Sequence, residues 1–354
     1  MSVEATSGET TESLPLFDGE IRIKDWVSEA ITSLATQVIH FNSFQRQSVE
    51  LTFAPFHSGE YAQTHLMIQE LARRVARLAI CFPTWMATLP FATVAALATT
   101  VGNLAHSSLY RTKCGDFKGE TSLHPKTCLL NPRMLTGIAP QKAAGVELGS
   151  ERYDRLVDTI RDNNPDVLFL PEVNRFTAPS LIKDLYDRYH FFFSGMGEKM
   201  VGEDASFFIA FRGELIRPPE YIPFREQGWL MERGYFIMET KERTYVCTYN
   251  PTPKNWSEIL TKEYGDKEVV LMGEMSSEDC YLLTDAGFVS MIPGGYPTIT
   301  AAPFIHYHGT EEGKPTSVPF LFMNQLKGKT EVVPMHDSEK IAEALSDHAM
   351  ILHR

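Results

Sequence analysis

Polar side chains follow the apolar, strand-like segments of this sequence at the points where those segments end. Carboxylate, amide and imidazole groups can bind hard cations or move protons, and strand ends are where sheet proteins commonly place their sites. A single polar residue after an apolar run is more often a turn former. Here the pattern recurs in order along the chain, at Asn131, Glu172, Tyr249, Glu274, Asn324 and the pair Asp347-His348.

The elements that position these residues are short strands alternating with helices from about Lys126 onward. Apolar runs predict strands at Thr127–Leu130, Val167–Leu170, Phe207–Phe211, Tyr235–Glu239, Tyr245–Tyr249, Glu268–Met272, Phe320–Met323 and Ala349–Leu352. Helical spacing predicts helices at Glu151–Asn163 and Leu181–Tyr189, and, before the strands begin, at Ile21–Gln45 and Tyr61–Arg77.

Two segments, PDVLFLPE at Pro165–Glu172 and SDH at Ser346–His348, resemble motifs of the endonuclease/exonuclease/phosphatase superfamily. In that superfamily the motifs follow a fixed order, and looser matches fall at the expected places, at Leu-Leu-Asn131, Thr248-Tyr249-Asn250, Gly273-Glu274-Met275-Ser276 and Met323-Asn324. The resemblance covers about Lys126 to Arg354. It implies an α+β fold of the deoxyribonuclease I-like type, a two-sheet β-sandwich flanked by helices, here preceded by an N-terminal helical region.

The resemblance also implies a Mg²⁺-dependent phosphoester hydrolase site. Mg²⁺ takes oxygen ligands and neutralises charge on a phosphate. Glu172 would be the first metal ligand, with Asn131 and Asp347 beside it. His348 would stabilise the charge that develops on the phosphate, and Glu274 would orient or deprotonate the attacking water.

Four positions of this site depart from the family pattern. Glu274 stands where the family has a shorter Asp, and Ser276 where it has an Asn. Tyr249 stands in place of the motif His, and Asn324 in place of the Asp that would polarise the terminal His. Losing one transition-state donor typically lowers turnover by about 10²–10³. We therefore expect catalysis to be more impaired than metal binding, and two hypotheses stay open: a divergent hydrolase, or a catalytically inactive pseudoenzyme that serves as a binding or scaffolding module.

An uncharged segment from Leu78 to Tyr110 lies N-terminal to these motifs, flanked by basic residues on both sides. It is long enough to span a bilayer, but Pro83 and Pro90 interrupt its first half. The alternative is a buried or interfacial helical hairpin. The sequence slightly favours membrane contact, and with it a lipid headgroup or another phosphoester as substrate.

The charge and the cysteine content of the chain disfavour several further classes of protein. A formal net charge of −12 disfavours a protein that binds nucleic acid through a basic surface. The 5 cysteines show no CxxC spacing, which predicts neither a disulfide framework nor a zinc site. The polar start of the chain lacks the features of a Sec signal peptide, so we expect a cytoplasmic or membrane-associated protein.

These features predict three regions: a disordered tail at 1–14, a helical region at 15–125 with the apolar segment 78–110, and the superfamily-like domain at 126–354. The sequence assigns no oligomeric state.

Overall fold

Two β-sheets packed face to face form the body of the protein. In this computed structural model the described residues are scattered positions between 30 and 53, then 64–105, 110–122, 124–132, 150–173, 177–196, 207–225, 233–249, 251–262, 264, 267–275, 280–292, 318–325, 328–335, 345–346 and 349–354. The 7-stranded sheet has the spatial order β1 (Arg111–Cys114), β4 (Phe191–Ser194), β5 (Phe207–Phe211), β3 (Val167–Pro171), β2 (Thr127–Leu129), β13 (Met350–His353) and β12 (Thr330–Val333). The 6-stranded sheet has the order β10 (Val289–Ser290), β11 (Val318–Met323), β9 (Glu268–Met275), β8 (Arg243–Tyr249), β7 (Gly234–Glu239) and β6 (Glu220–Pro223).

Helices cover the outer faces of both sheets. In the described part of the chain these are α3 (Ser150–Asn163), α4 (Ala178–Asp184), α5 (Pro253–Leu260) and α6 (Cys280–Asp285), and they follow α1 (helical residues between 30 and 52) and α2 (Thr64–Ala105), which pack on each other. Side chains of α3 and α4, such as Leu156 and Leu181, pack on the 7-stranded sheet. Trp256 of α5 and Leu283 of α6 pack on the 6-stranded sheet. The expected α+β class and two-sheet sandwich with flanking helices are therefore confirmed.

The core between the sheets follows from alternation along each strand. Phe169 of β3 points inward to the inter-sheet cluster, whereas Leu168 and Leu170 point outward to α3 and α4. The same alternation places Val270 and Met272 of β9 between the sheets. Successive side chains on a strand face opposite sides, so strands buried on both faces are apolar throughout, as the sequence shows.

Each sheet contains one parallel pair of strands. β2 runs parallel to β3, and β8 runs parallel to β9. The other pairings in both sheets are antiparallel. Parallel neighbours end on the same side of a sheet, so each sheet brings two strand ends together. We call the side of the sandwich where β2, β3, β8 and β9 end the site edge.

The sandwich begins earlier in the chain than the boundary predicted at residue 126. β1 pairs with β4 as the outermost strand of the 7-stranded sheet. Tyr110, just before β1, places its ring edge-on against Phe193 and Phe236 and donates from its hydroxyl to the Pro219 carbonyl over 2.6 Å. Tyr110, the last residue of the predicted apolar segment, thus belongs to the sandwich.

The helix that carries most of the apolar segment is a single element. α2 runs for 42 residues through Pro83 and Pro90, so the alternative of a hairpin within 78–110 is wrong. The helix packs instead against the preceding α1: the Asn42 side-chain amide donates to the Trp85 carbonyl and to the Thr88 hydroxyl. By length and composition, its Met67–Ala98 stretch could cross a membrane, with a mean hydropathy of 1.5.

Candidate site at the ends of the parallel strands

Four of the polar residues predicted from strand ends meet at the site edge. Asn131 follows β2 and Glu172 follows β3, while Tyr249 ends β8 and Glu274 lies near the end of β9. Tyr249 and Glu274 are directly paired in the ladder between β8 and β9. Each sheet therefore contributes two of the four side chains.

Hydrogen bonds join these side chains across the two sheets. The Asn131 amide nitrogen donates to Oε1 of Glu274 over 2.5 Å, and the Tyr249 hydroxyl donates to Oε1 of Glu172. Asn131, Glu172 and Glu274 are buried, with Glu274 only 1% exposed. A buried carboxylate needs donors to replace lost hydration, so the two pairs hold two acidic groups in a closely packed position.

The backbone around the two carboxylates has unusual local geometry. Glu172 adopts φ 58°, in the left-handed region, directly after β3. For a residue with a side chain this costs about 1–2 kcal/mol, and such strain persists where the surrounding structure fixes it, often at functional sites. Next to Glu274, a Cβ on Gly273 would lie 1.8 Å from the Thr248 carbonyl oxygen. Only glycine permits this close approach of β8 and β9.

The terminal motif is described only in part. Ser346 is buried, and its hydroxyl donates to the Asn131 carbonyl over 2.5 Å, which ties the SDH segment to the strand that carries Asn131. Asp347 and His348 lie outside the described residues, as does Ser276. The roles predicted for those three residues stay predictions.

Asn324 does not lie at the site edge, so its predicted place in the site is wrong. β11 runs antiparallel to β9, and Asn324 follows its far end. Its side chain accepts from the Val269 amide over 2.9 Å and donates to the Lys267 carbonyl over 3.0 Å. At about 3.3 Å per residue, Val269 lies about 16 Å from Glu274 along β9. Asn324 is thus a bridge between two strand termini at the opposite side of the sheet.

β11 reaches the site edge with its N-terminal residues. Pro319 pairs with Glu274 across the ladder, and Val318 pairs with Met275. Neither residue has a carboxylate that could polarise a histidine. The direction of β11 decides which of its two ends lies at the site edge. The order of the motifs along the sequence did not show that direction.

The donor types at the site edge fit a hard divalent cation. Glu172 and Glu274 supply carboxylates and Asn131 an amide, and Mg²⁺ prefers oxygen ligands of this kind. Each carboxylate has two oxygens and about four acceptor sites. A single hydrogen bond from Tyr249 or Asn131 therefore leaves each carboxylate with lone pairs that can bind a cation. Within the described part of the chain, no group of three or more His, Cys, Asp or Glu side chains is arranged to hold a metal.

Comparison with known proteins gives matches to solved structures alone. No family model and no curated protein matches this chain. An endonuclease/exonuclease/phosphatase family protein from Leptotrichia buccalis has 16% identity and a TM-score of 0.42, with 65% of this chain and 98% of that chain covered. TDP2 from C. elegans has 14% identity and a TM-score of 0.39, with 100% and 98% covered. TDP2 from D. rerio, complexed with a single strand DNA product, has 13% identity and a TM-score of 0.39, with 66% and 98% covered.

One of these names is that of the superfamily whose motifs the sequence resembles. At such identities and TM-scores the likenesses do not show an activity for this chain.

Proposed function

We propose that this protein is a divergent metal-dependent phosphoester hydrolase that acts on a phosphorylated lipid or small phosphoester at a membrane. The observation that carries the proposal is the pair of hydrogen bonds, Asn131 to Glu274 and Tyr249 to Glu172, by which two parallel strand pairs bring two buried carboxylates together. Burial of an acidic group costs free energy unless hydrogen bonds or charges compensate it. Such groups are therefore found preferentially at functional sites.

In this proposal Glu172, with Asn131 and Asp347 beside it, would hold Mg²⁺, and the cation would supply charge neutralisation on the phosphate. Glu274 would accept a proton from the attacking water, and Asn131 would fix the orientation of its carboxylate through the 2.5 Å bond. The Tyr249 hydroxyl would hold one oxygen of Glu172 until the cation binds. His348 would donate to a phosphate oxygen as charge develops.

The substrate class follows from charge. A chain with a formal net charge of −12 does not attract a polyanion through its surface, so we favour a small phosphoester or a single lipid headgroup over nucleic acid. Such a substrate carries few charges, which one cation and a few donors can neutralise.

The test is Mg²⁺-dependent hydrolysis by the full chain of a soluble phosphodiester and of a phosphoinositide panel. Glu172→Gln keeps the size of the side chain and removes its charge, so turnover should fall by at least about 100-fold if the ligand role holds. Glu331→Gln makes the same chemical change at an exposed position on β12 and should leave turnover unchanged. Equal turnover in Glu172→Gln and the unaltered chain would refute the proposal.

A second candidate, a pseudoenzyme that binds but does not hydrolyse, is favoured by Pro319. This residue takes the position opposite Glu274 where a carboxylate could polarise a histidine, and the motif His is a tyrosine. Lack of turnover together with retained Mg²⁺ or Mn²⁺ binding would support this candidate. The restoring variant is then Tyr249→His with Pro319→Asp, because an acid at Asn324 would lie at the wrong side of the sheet.

A further inference from the structure

One face of α2, which no described part of the sandwich covers, is apolar around much of the circumference of the helix. Its large apolar side chains are exposed, with Ile80, Phe91, Val94 and Leu97 all between 64% and 67%. None of the described side chains of α2 joins the three core clusters of the sandwich. Monomeric soluble proteins rarely leave so large an apolar surface in water.

Among the described residues, α1 is the partner of α2 and covers one stripe of it. Ala95 packs with Ala35 and Ile39 of α1, and Asn42 of α1 bonds at the level of Trp85, so the two helices are antiparallel. At 100° per residue, the exposed large apolar residues from Ile80 to Val101 occupy an arc of about 200°. One further helix would cover about half of that arc, whereas lipid surrounds a helix on every side that protein leaves open.

Three threonine hydroxyls within the apolar stretch are satisfied inside the helix. The hydroxyls of Thr84, Thr88 and Thr93 donate to the carbonyls one turn earlier, at 2.7, 2.8 and 3.0 Å. In a bilayer each polar group must find its partner within the protein, and these three do. The stretch carries no Asp, Glu, Lys or Arg from Leu78 to the end of α2, a length of about 40 Å at 1.5 Å per residue.

The charges at the ends of this stretch complement a phospholipid surface. Arg73, with its side chain 71% exposed, and Arg77 precede it. Lys113, exposed on β1, follows it. Basic residues on both sides of an uncharged segment match the anionic headgroups on either side of a hydrocarbon core.

The end of α2 leads into the sandwich on the side of the carboxylates. β1 runs antiparallel to β4, and Thr112, Phe193, Ile209 and Phe169 form one continuous row across β1, β4, β5 and β3. At about 4.8 Å per strand this row spans about 14 Å. The first residue of β1 and the last of β3, which precedes Glu172, lie on the same side of the row.

We propose that α2, with α1 packed along its covered stripe, inserts its open apolar arc into a lipid bilayer. The proposal deepens the function proposed above, since it names the surface that would present the substrate, but bilayer insertion itself does not require an active site. Because α2 enters the sandwich from the side of the site edge, insertion brings Glu172 and Glu274 toward the headgroup region.

The test is flotation of the full chain with vesicles of phosphatidylcholine, with and without phosphatidylserine, in low and high salt. The unaltered chain should float with both compositions, and high salt should not strip it from either. Val94→Glu with Leu97→Glu puts two charges in the open arc while keeping good helix formers, and should lower partitioning by about 100-fold per substitution. Ile216→Glu with Val289→Glu, at exposed positions of the sandwich, is the matched control and should float like the unaltered chain.

Three results would overturn the proposal. One is an unaltered chain that stays at the bottom of the gradient. A second is binding to anionic vesicles that high salt reverses, which would indicate attraction of the basic residues alone. The third is an oligomer that does not float and that Val94→Glu with Leu97→Glu dissociates, which would assign the arc to a second copy of this chain. Flotation without hydrolysis of any substrate would leave insertion supported and count against the proposed activity alone.

Discussion

Substitution of two asparagines, one at each side of the sandwich, distinguishes an effect on the site from an effect on the stability of the fold. Asn131 is fully buried and donates to Glu274, which is 1% exposed. A hydrogen bond to a charged group contributes about 1.5–3 kcal/mol, and its loss leaves the buried acceptor with one donor fewer. We therefore expect Asn131→Ala to lower the free energy of unfolding by about 2–3 kcal/mol at pH 7.

Asn324 makes two bonds as well, but both join it to backbone groups at an exposed strand terminus. Neutral bonds contribute about 0.5–1.5 kcal/mol each, and water replaces them when the position is exposed. Asn324→Ala should therefore lower the free energy of unfolding by about 1 kcal/mol.

The assay combines urea unfolding with titration of Mg²⁺ or Mn²⁺ by calorimetry on the same preparations. Only Asn131→Ala should weaken cation binding, because Asn324 lies about 16 Å from Glu274 along β9. Equal loss of cation affinity in the two variants would refute the geometry on which this separation rests. Cation binding unchanged in both would remove Asn131 from the ligand set and leave its bond to Glu274 as purely structural.

Three other outcomes follow from the same structure. Gly273→Ala should lower the free energy of unfolding by about 3 kcal/mol in urea, because its Cβ would lie 1.8 Å from a carbonyl of the neighbouring strand; a change below about 1 kcal/mol would contradict that contact. Tyr249→Phe should raise Mn²⁺ affinity in a spectroscopic titration, since it removes the donor to Glu172 that competes with a cation; weaker binding would instead make the hydroxyl a ligand or support. Burial lowers the pKa of His190 below its usual 6.5, and its Nδ1 accepts the Gly213 amide. The unfolded chain then binds more protons than the folded chain as the pH falls through 6.5, so the stability present above that pH should decline on acidification in urea unfolding, and less so in His190→Gln.

Local patterning was sufficient to predict the central strands. β3, β5 and β9 are apolar runs buried on both faces, and such runs are distinctive in a sequence. Five strands were missed: β1, β4, β6, β10 and β12. Each has two to four residues, and runs this short are seldom separated from loops by their pattern, although β2, with three residues, was predicted. The helix predicted at Leu181–Tyr189 is shorter at its C-terminal end, since α4 ends at Asp184 and the chain turns before β4.

Strand direction explains the error at Asn324. A strand has the same alternation when it is followed from either end, so the sequence shows that a polar residue ends an apolar run but not at which side of the sheet it ends. β2, β3, β8 and β9 occur as two parallel pairs, and for those strands the C-terminal rule held. For β11 it failed because its partner β9 runs the opposite way. Long-range pairing, which short segments do not encode, decides which end faces the site.

The two hydrogen bonds at the site edge have a common physical effect: they supply internal partners to carboxylates that could otherwise bind a cation. Tyr249 reaches Glu172 with a hydroxyl, and the longer Glu274 reaches Asn131 across the sheets. Each bond stabilises the carboxylate without a metal and opposes metal entry by roughly the strength of one charge-assisted hydrogen bond. Tyr249→Phe removes one of these two bonds and leaves the carboxylate in place, so its titration measures how strongly the tyrosine hydroxyl opposes a cation at Glu172.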